Sequence, residues 1–591
     1  MSSSVAQHTA PSIGAAPPGS GRSKTPGSVA GETILWLTIA LFVFAVAIVP
    51  LLHTIDSAFY KETPFGLDEV RSLEAVLNVY AGSRYLRMLG SALLLAAMVT
   101  VLALVAGVLM AFLVARTDMP GRGGFDVLIV VPMFLSPFTG LIAWMVLGSE
   151  RTGFINVAII NFLKQFGIVS TPWIDVWTFG GVVWVMALFY APYAYLFTVN
   201  NLRAMDSSLE EAARMSGASA FQSVLRITLP MMLPSFFAAG LLIFVLSAET
   251  YTIPGIVGST AGFTTLPWQI YHDSTVAPLH RAHAAAGGTM LLWVTIGGII
   301  LQRRMTRVAE RFVTIGGKGR RSRPLELGRW RWPAFGLVGS YVLCSVILPL
   351  AALLVYSLMK FSSVRFTADL FTIKHYIDLF ALPNTREAFA NTLLLGVLAG
   401  SLCLLIGIII SHAELRRNSK LTVLVAFIGV LPVAVPGIVY GIGLMWTYLR
   451  TPIYGTIWVL LLAYLAKFTP YAILLTRTGI LQINRELEEC ARACGASGLQ
   501  TLRLVTMPIL KPVMIAVFFF VMLQSIKELS ASALLASERG PVLSVLTWSY
   551  MESGSFQFAA AVGLLQSLIM VGVLVATRTI FGIRLERAGK H

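Results

Sequence analysis

Charged side chains are scarce: they make up 12% of the 591 residues, against 56% hydrophobic, and the mean hydropathy is +0.78. So few charges exclude a water-soluble globular protein, in which roughly a quarter of the residues are charged. Cysteine is nearly absent, with four in the chain. Cys344 and Cys403 fall in apolar runs and Cys490 and Cys494 in a polar loop, so no disulfide framework is implied. The i, i+4 spacing of Cys490 and Cys494 could suit a metal or a redox pair, but no histidine is near, and small residues packed at a helix contact are expected. The eight histidines form no ligand-spaced cluster within one span. His280 and His283 could meet on a turn, where they read as a solvated pair, so no metal site is expected. No G-x4-G-K-[ST] phosphate loop exists: Gly317-Lys318 lies in a basic stretch, and Gly589-Lys590 is followed by His591. The chain therefore carries no nucleotide-binding loop of that kind. Paired carboxylates, histidine clusters and nucleophile motifs at catalytic spacing are also missing, which argues against a membrane-embedded enzyme.

What the chain does have is apolar runs of about 20 residues, long enough to cross a bilayer. They place spans near 33–57, 90–115, 124–147, 176–199, 231–254, 284–302, 334–358, 391–412, 421–448, 456–476, 512–535 and 559–581. Run length favours helices over a barrel, and helices satisfy their backbone polar groups within each segment. The fold class is all-α, a polytopic membrane protein of about 12 transmembrane helices. The first run is too long for a signal-peptide core and is read as a retained span. Residues 1–32 are rich in Ser, Gly, Ala and Pro and are expected to be a disordered cytoplasmic tail.

Placing the N-terminus inside puts most of the 44 Lys and Arg residues in inner segments and 13 in outer ones, as the positive-inside rule requires. Both termini are then cytoplasmic. Ten of the inner basic residues lie between Gln302 and Pro333, and residues 313–333 read as a basic cytoplasmic linker. Beside membrane spans such a stretch meets anionic lipid or sets topology, so membrane lipid and not nucleic acid is the expected partner.

An internal repeat organises the rest. LEEAARMSGAS at 209–219 and LEECARACGAS at 487–497 are 278 residues apart, and the match extends to Pro230 with Pro508 and Pro234 with Pro512. Six spans separate equivalent points, so residues 33–312 and 334–591 form two parallel six-helix repeats related by an axis along the membrane normal. Each repeated loop, 200–230 and 477–511, predicts a short exposed helix. Ser207 or Ser208 can cap the first, with Glu210 or Glu211 completing a capping box, and Gly217 stops it. Asn484 caps the second and Gly495 stops it. Ala212 and Ala213 leave a low face suited to docking in a groove.

These loops resemble those of the integral membrane subunits of binding-protein-dependent ABC importers. Their signature, EAA, three residues, G, nine residues, I-x-L-P, is matched by Glu211, Ala212, Ala213, Gly217, Ile227, Leu229 and Pro230. In the second copy Glu489, Ala491, Gly495 and Pro508 agree, while Cys490, Val505 and Met507 depart. The resemblance implies a type I ABC importer permease fold with no cofactor on this chain and with ATP and Mg on partner subunits. The implied partners are two ATP-binding cassette subunits and a periplasmic or extracytoplasmic substrate-binding protein, in a bacterial inner membrane. It assigns ATPase coupling to Glu210, Glu211, Ala212, Ala213, Gly217, Glu488, Glu489, Ala491 and Gly495. The fused halves and the stretch Lys527-Glu528-Leu529-Ser530-Ala531-Ser532-Ala533-Leu534-Leu535 are most similar to ferric-iron permeases; thiamine, phosphonate and polyamine importers are the alternatives.

Charges within spans are costly, about 2.5–3.5 kcal/mol each on insertion scales, and face protein or water. Glu249, Lys467, Lys527 and Glu528, with Tyr190, Tyr193 and Tyr471 nearby, are therefore candidates for the translocation pathway. An ion pair joining the halves, such as Glu249 with Lys527, is the structural alternative. In an ion-coupled secondary carrier, the other class with twelve spans, the same charges would form a relay; but a carrier has no use for two EAA loops. The spans hold few hard oxygen ligands, so a ferric ligand cage is expected on the binding protein.

Overall fold

The structure is a computed structural model and describes residues 26–63, 66–168, 171–205, 208–309, 325–364, 367–417 and 419–581. Ten helices in it are long and apolar enough to cross a membrane, and two further helix pairs are sharply bent, giving up to 12 crossings when each bent pair is counted as one broken span. The count agrees with the sequence reading. The shapes differ in three respects.

The third and ninth spans are not straight. Arg122–Phe134 meets Pro137–Gly148 at 100°, and Lys420–Ala434 meets Gly437–Tyr448 at 109°. Prolines cause both breaks. Ser136 before Pro137 has ψ 125° and Val435 before Pro436 has ψ 121°, because a proline ring pushes the preceding residue out of the helical region. The fifth and eleventh spans end earlier than expected, at Glu249 and Ile526. The first helix begins at Pro26, ahead of the expected Thr33, so residues 26–32 are not part of a disordered tail. Residues 1–25 lie outside the described ones, as do 313–324 of the basic linker.

The repeat runs in two registers. Ser83–Arg116 matches Pro383–Arg417, and Pro137–Gly148 matches Gly437–Tyr448, at an offset of 300 (Ser83 to Pro383). Phe179–Ala204 matches Ile457–Leu481 at an offset of 278 (Phe179 to Ile457). The difference of 22 residues falls between the broken span and the next, where the first half alone carries the helix Phe154–Lys164.

Close packing of small residues builds each half. The long helix Ser83–Arg116 packs on Phe179–Ala204, and Pro383–Arg417 packs on Ile457–Leu481. A Cβ at Gly107 would lie 2.5 Å from the carbonyl oxygen of Ala191, and one at Gly407 would lie 2.9 Å from that of Ala472. Only glycine permits such crossings.

The two halves share one continuous core and exchange their first helices. Pro26–Ala47 packs on Lys420–Val430 of the second half, and Val49–Ser57 packs on Gly437–Tyr448. Tyr440 donates to the carbonyl of Ala47 at 2.8 Å. In the reverse direction, Tyr341 in the first helix of the second half donates to the carbonyl of Leu188 at 2.7 Å. A stack of Tyr251, Trp268, Tyr271 and Trp548 closes the seam. Among the described residues the sheet is confined to one antiparallel hairpin, Tyr60–Thr63 with Gly66–Arg71.

Candidate functional site

Both loop helices exist. The first is Ser208–Met215 and the second Arg485–Ala493. Asn484 caps the second, accepting from the Glu486 amide at 3.2 Å. Gly217 and Gly495 follow with φ +87° and +88°, the left-handed conformation that ends a helix with glycine. No atom lies within 4 Å of a Cβ at either position, so it is backbone conformation that requires glycine there.

The first glutamate of each loop turns to its own spans. The buried carboxylate of Glu210 pairs with the guanidinium of Arg116, at the end of the long helix Ser83–Arg116, and accepts from Thr228 Oγ1 at 2.6 Å. The second half repeats this arrangement. Glu488, 1% exposed, pairs with Arg416 Nε at 2.9 Å and accepts from Thr506 Oγ1 at 2.9 Å. Thr228 and Thr506 lie in equivalent π-helical turns, Val224–Thr228 and Leu502–Thr506, directly ahead of Pro230 and Pro508. Proline has no N–H to give to the preceding turn, and the widened turn accommodates that loss. Each buried carboxylate therefore ties its loop helix to the end of one span and the foot of another.

The remaining motif residues face outward. Ala212, Met215, Gly217, Glu489, Cys490 and Gly495 are exposed, and Ala213 and Ala491 half-buried. The side chain of Glu211 lies outside the described residues, as does Ser207. Arg116 and Arg416 escaped the sequence reading because they repeat at the offset of 300 whereas the loops repeat at 278. A basic residue ending both long helices was the available signal.

The charged candidates within the membrane gather at the seam between the halves. Glu249 and Lys527 occupy equivalent positions, 278 apart, at the ends of the fifth and eleventh helices. They do not pair with each other, as the structural alternative supposed. Glu249 Oε2 accepts from the amide of Gly437, 3.2 Å away, at the start of the second half's broken segment Gly437–Tyr448. Lys527 Nζ donates to the carbonyl of Met133 at 2.5 Å, in Val131–Phe134 of the first half's broken span. Each residue thus reaches across the seam to a helix end. The carboxylate meets a start, where N–H groups are unpaired, and the ammonium meets an end, where carbonyls are unpaired.

Lys467 and Glu528 supply the ion pair, Nζ to Oε1 at 3.2 Å. Glu528 also accepts from the amides of Ala531 and Ser532 at 3.0 and 3.1 Å and from Ser532 Oγ at 2.7 Å. A Cβ on Gly437 would lie 2.7 Å from Lys467 Nζ, so the ammonium rests directly on the glycine whose amide Glu249 holds. Lys467 thus links Glu528 to the backbone that Glu249 holds, while Lys527 is engaged by Met133. Tyr190 bonds Thr250 Oγ1 at 2.9 Å beside them, its ring centroid 6.2 Å from that of Tyr193; Tyr471 packs on Phe520. A separate cavity of about 730 Å³, lined among others by Glu150, Arg151, Trp177 and Ser362, includes none of these groups.

Two parallel repeats of six spans, each with an exposed loop helix keyed to its spans by a buried carboxylate, define a duplicated transport permease. Residues 103–311 and 403–587 match the family described as binding-protein-dependent transport system inner membrane component, and the chain belongs to that family, the permease subunits of ABC importers.

Among known proteins, the chain is 25% identical over 506 residues to a Haemophilus influenzae protein named as a ferric transport system permease, FbpB 1, covering 84% of this chain and 76% of that one. It is also 25% identical to the Fe(3+)-transport system permease protein FbpB 2 of the same organism, covering 89% and 94%. A Salmonella typhi protein named as a 2-aminoethylphosphonate transport system permease, PhnV, is 28% identical but matches only 44% of this chain while covering 98% of its own length.

Proposed function

We propose that the chain forms the translocation path of an ATP-binding-cassette importer for ferric iron or an iron complex. Two ATP-binding subunits dock at the loop helices, one on each, and carry the ATP and Mg; an extracytoplasmic binding protein delivers the cargo. Both termini are cytoplasmic in this reading.

One observation supports the coupling role above the others. The span Leu229–Glu249, 21 residues and about 30 Å long at 1.5 Å per residue, follows directly on the Thr228 that Glu210 holds and ends on the Glu249 that holds Gly437. Closure of the ATPase pair that displaces the loop helix moves this rod, and its far end lets go of the opposite half. The eleventh span, from Thr506 to Lys527, is the same lever in the second repeat. A rigid element with discrete contacts at both ends transmits a shift of this kind.

The ferric assignment is supported by full-length relatives, whereas the phosphonate permease corresponds to a single half. Uptake of radiolabelled ferric iron by cells expressing the whole importer tests it. Wild-type cells should accumulate iron, and a Glu211→Lys, Glu489→Lys double variant at matched expression should not. If iron uptake is unchanged by deleting the chain while 2-aminoethylphosphonate uptake is lost, the phosphonate reading replaces it.

A further inference from the structure

The hairpin between the first two long helices carries a carboxylate to a pair of histidines more than two hundred residues away. Glu62 Oε2 lies 3.1 Å from His280 Nδ1 and 2.8 Å from His283 Nδ1. One ligand atom from each residue can be chosen so that all three lie within 4.8 Å of one another. His280 immediately precedes the helix Arg281–Ala309 and His283 sits in its first turn, so the spacing of three turns both rings to one side. The other carboxylate oxygen, Oε1, accepts from the backbone amide of His283 at 2.9 Å, which fixes the direction in which Oε2 points.

We propose that Glu62, His280 and His283 bind a divalent first-row transition ion of the Zn²⁺ class, which staples the hairpin to the start of the helix Arg281–Ala309. Two imidazole nitrogens and one carboxylate oxygen are a borderline donor set, suited to Zn²⁺ and its neighbours and unlike the all-oxygen set of a hard ferric ion. Ligand bonds of about 2.0–2.2 Å place donor atoms a little over 3 Å apart, close to the 3.1 and 2.8 Å from Oε2 to the two histidines.

Three features prepare the site. The hairpin that carries Glu62 is already fixed by Arg71, which pairs with Asp56 at 2.7 Å and lies over the ring of Tyr60. On the far side of the His283 ring, the amide of Asn78 stands 3.5 Å from Nε2; turned to present its oxygen, it would accept the Nε2 proton and leave Nδ1 free for the metal, as an outer-shell partner does. His280 is half exposed and Glu62 and His283 much less so, which gives the ion a way in and leaves positions for water. The site does not depend on the cargo being iron. Only its placement outside the membrane uses the proposed orientation, so failure of the metal test leaves the transport reading standing.

The test uses the full chain without a polyhistidine tag, in lipid nanodiscs, with Cys490→Ser and Cys494→Ser to remove competing thiols. After chelation the protein is titrated with Co²⁺ and followed by its visible absorption, then challenged with Zn²⁺. One Co²⁺ per chain should bind and be displaced by Zn²⁺. His280→Ala with His283→Ala should weaken binding at least tenfold, and Glu62→Gln, which keeps shape and polarity should the histidine variant fold poorly, should do the same. Hydrogen exchange at 60–71 should slow on adding Zn²⁺ to the wild type and not to the variants. Absent binding in the wild type, equal binding in Glu62→Gln, or binding without protection of the hairpin would each overturn the proposal.

Discussion

The two halves agree most closely where each meets its own loop helix and disagree most where each meets the other half. Glu210 with Arg116 and Thr228 is repeated as Glu488 with Arg416 and Thr506, group for group. At the seam, Glu249 stands where its counterpart is Lys527. The contrast has a physical cause. The loop helices of both halves meet the same pair of groups, an Arg and a Thr of their own spans, whereas the two seam residues face opposite ends of helices and need opposite charge. The lower part of the bundle diverges in a third way. Asp126 in the first half accepts from Tyr195 and pairs with Arg203 at 3.1 Å. The corresponding Ala426 and Ile473 of the second half lie together in an apolar cluster. A duplicated fold thus keeps the contacts that anchor each loop helix to its own spans and lets the rest drift.

Breaking the shared element should have the largest effect. Glu210→Ala or Glu488→Ala strands a buried guanidinium, a loss of about 3–5 kcal/mol, and should lower thermal stability and abolish uptake in either half. Glu489→Ala, at an exposed position, should leave stability within about 0.5 kcal/mol while still impairing substrate-stimulated ATP hydrolysis. Equal stability of Glu488→Ala and Glu489→Ala would show that the buried carboxylate is not the anchor.

Reversing the seam charges sharpens the other side of the comparison. Lys527→Glu would set a carboxylate against the Met133 carbonyl, and Glu249→Lys an ammonium against the Gly437 amide. Each should cost several kcal/mol and most of the uptake. The double exchange should not rescue either one, because the helix ends remain as they were. Recovery of uptake in the double variant would mean that the two residues pair with each other after all.

A smaller effect is expected at the stops of the loop helices. Gly217→Ala and Gly495→Ala each force a side chain into a left-handed conformation, at a cost of about 1–2 kcal/mol. The two losses of melting temperature should be alike, since φ is the same in both. A loss of about 1 kcal/mol, measured by thermal unfolding, is predicted for Tyr195→Phe, which removes one donor to Asp126. The aligned Ile473→Val should cost a similar amount through packing alone.

Much of this was legible in the sequence. Run length gave the spans, the repeat gave the parallel halves, and the EAA loops led to the family. Glu249 and Lys527 were visible as equivalent charges, because alignment of the loops fixes their register. Their partners were not visible. A main-chain amide at Gly437 and a carbonyl at Met133 become available only where Pro436 and Pro137 break the spans, and a hydropathy pattern does not distinguish a bent span from a straight one. The prolines were the missed signal. Local spacing offers Glu210 or Glu211 to a capping box, but the partners of Glu210 come from other parts of the chain. His280 and His283 read as a solvated pair for the same reason: the third member, Glu62, arrives on a hairpin far away in sequence.

The exchanged first helices set a timetable for assembly. Tyr440 must be made before the carbonyl of Ala47 finds its donor, and Thr54 likewise awaits the carbonyl of Val439. At about 5–20 residues per second, translation of the intervening chain occupies roughly 20–80 s. For that interval Val49–Ser57 can already meet Arg281–Ala309 of its own half, but the side that packs on the second half is left to lipid or to an insertion chaperone. The first half is therefore a half-finished object on the ribosome, and its last step of folding is the arrival of the second.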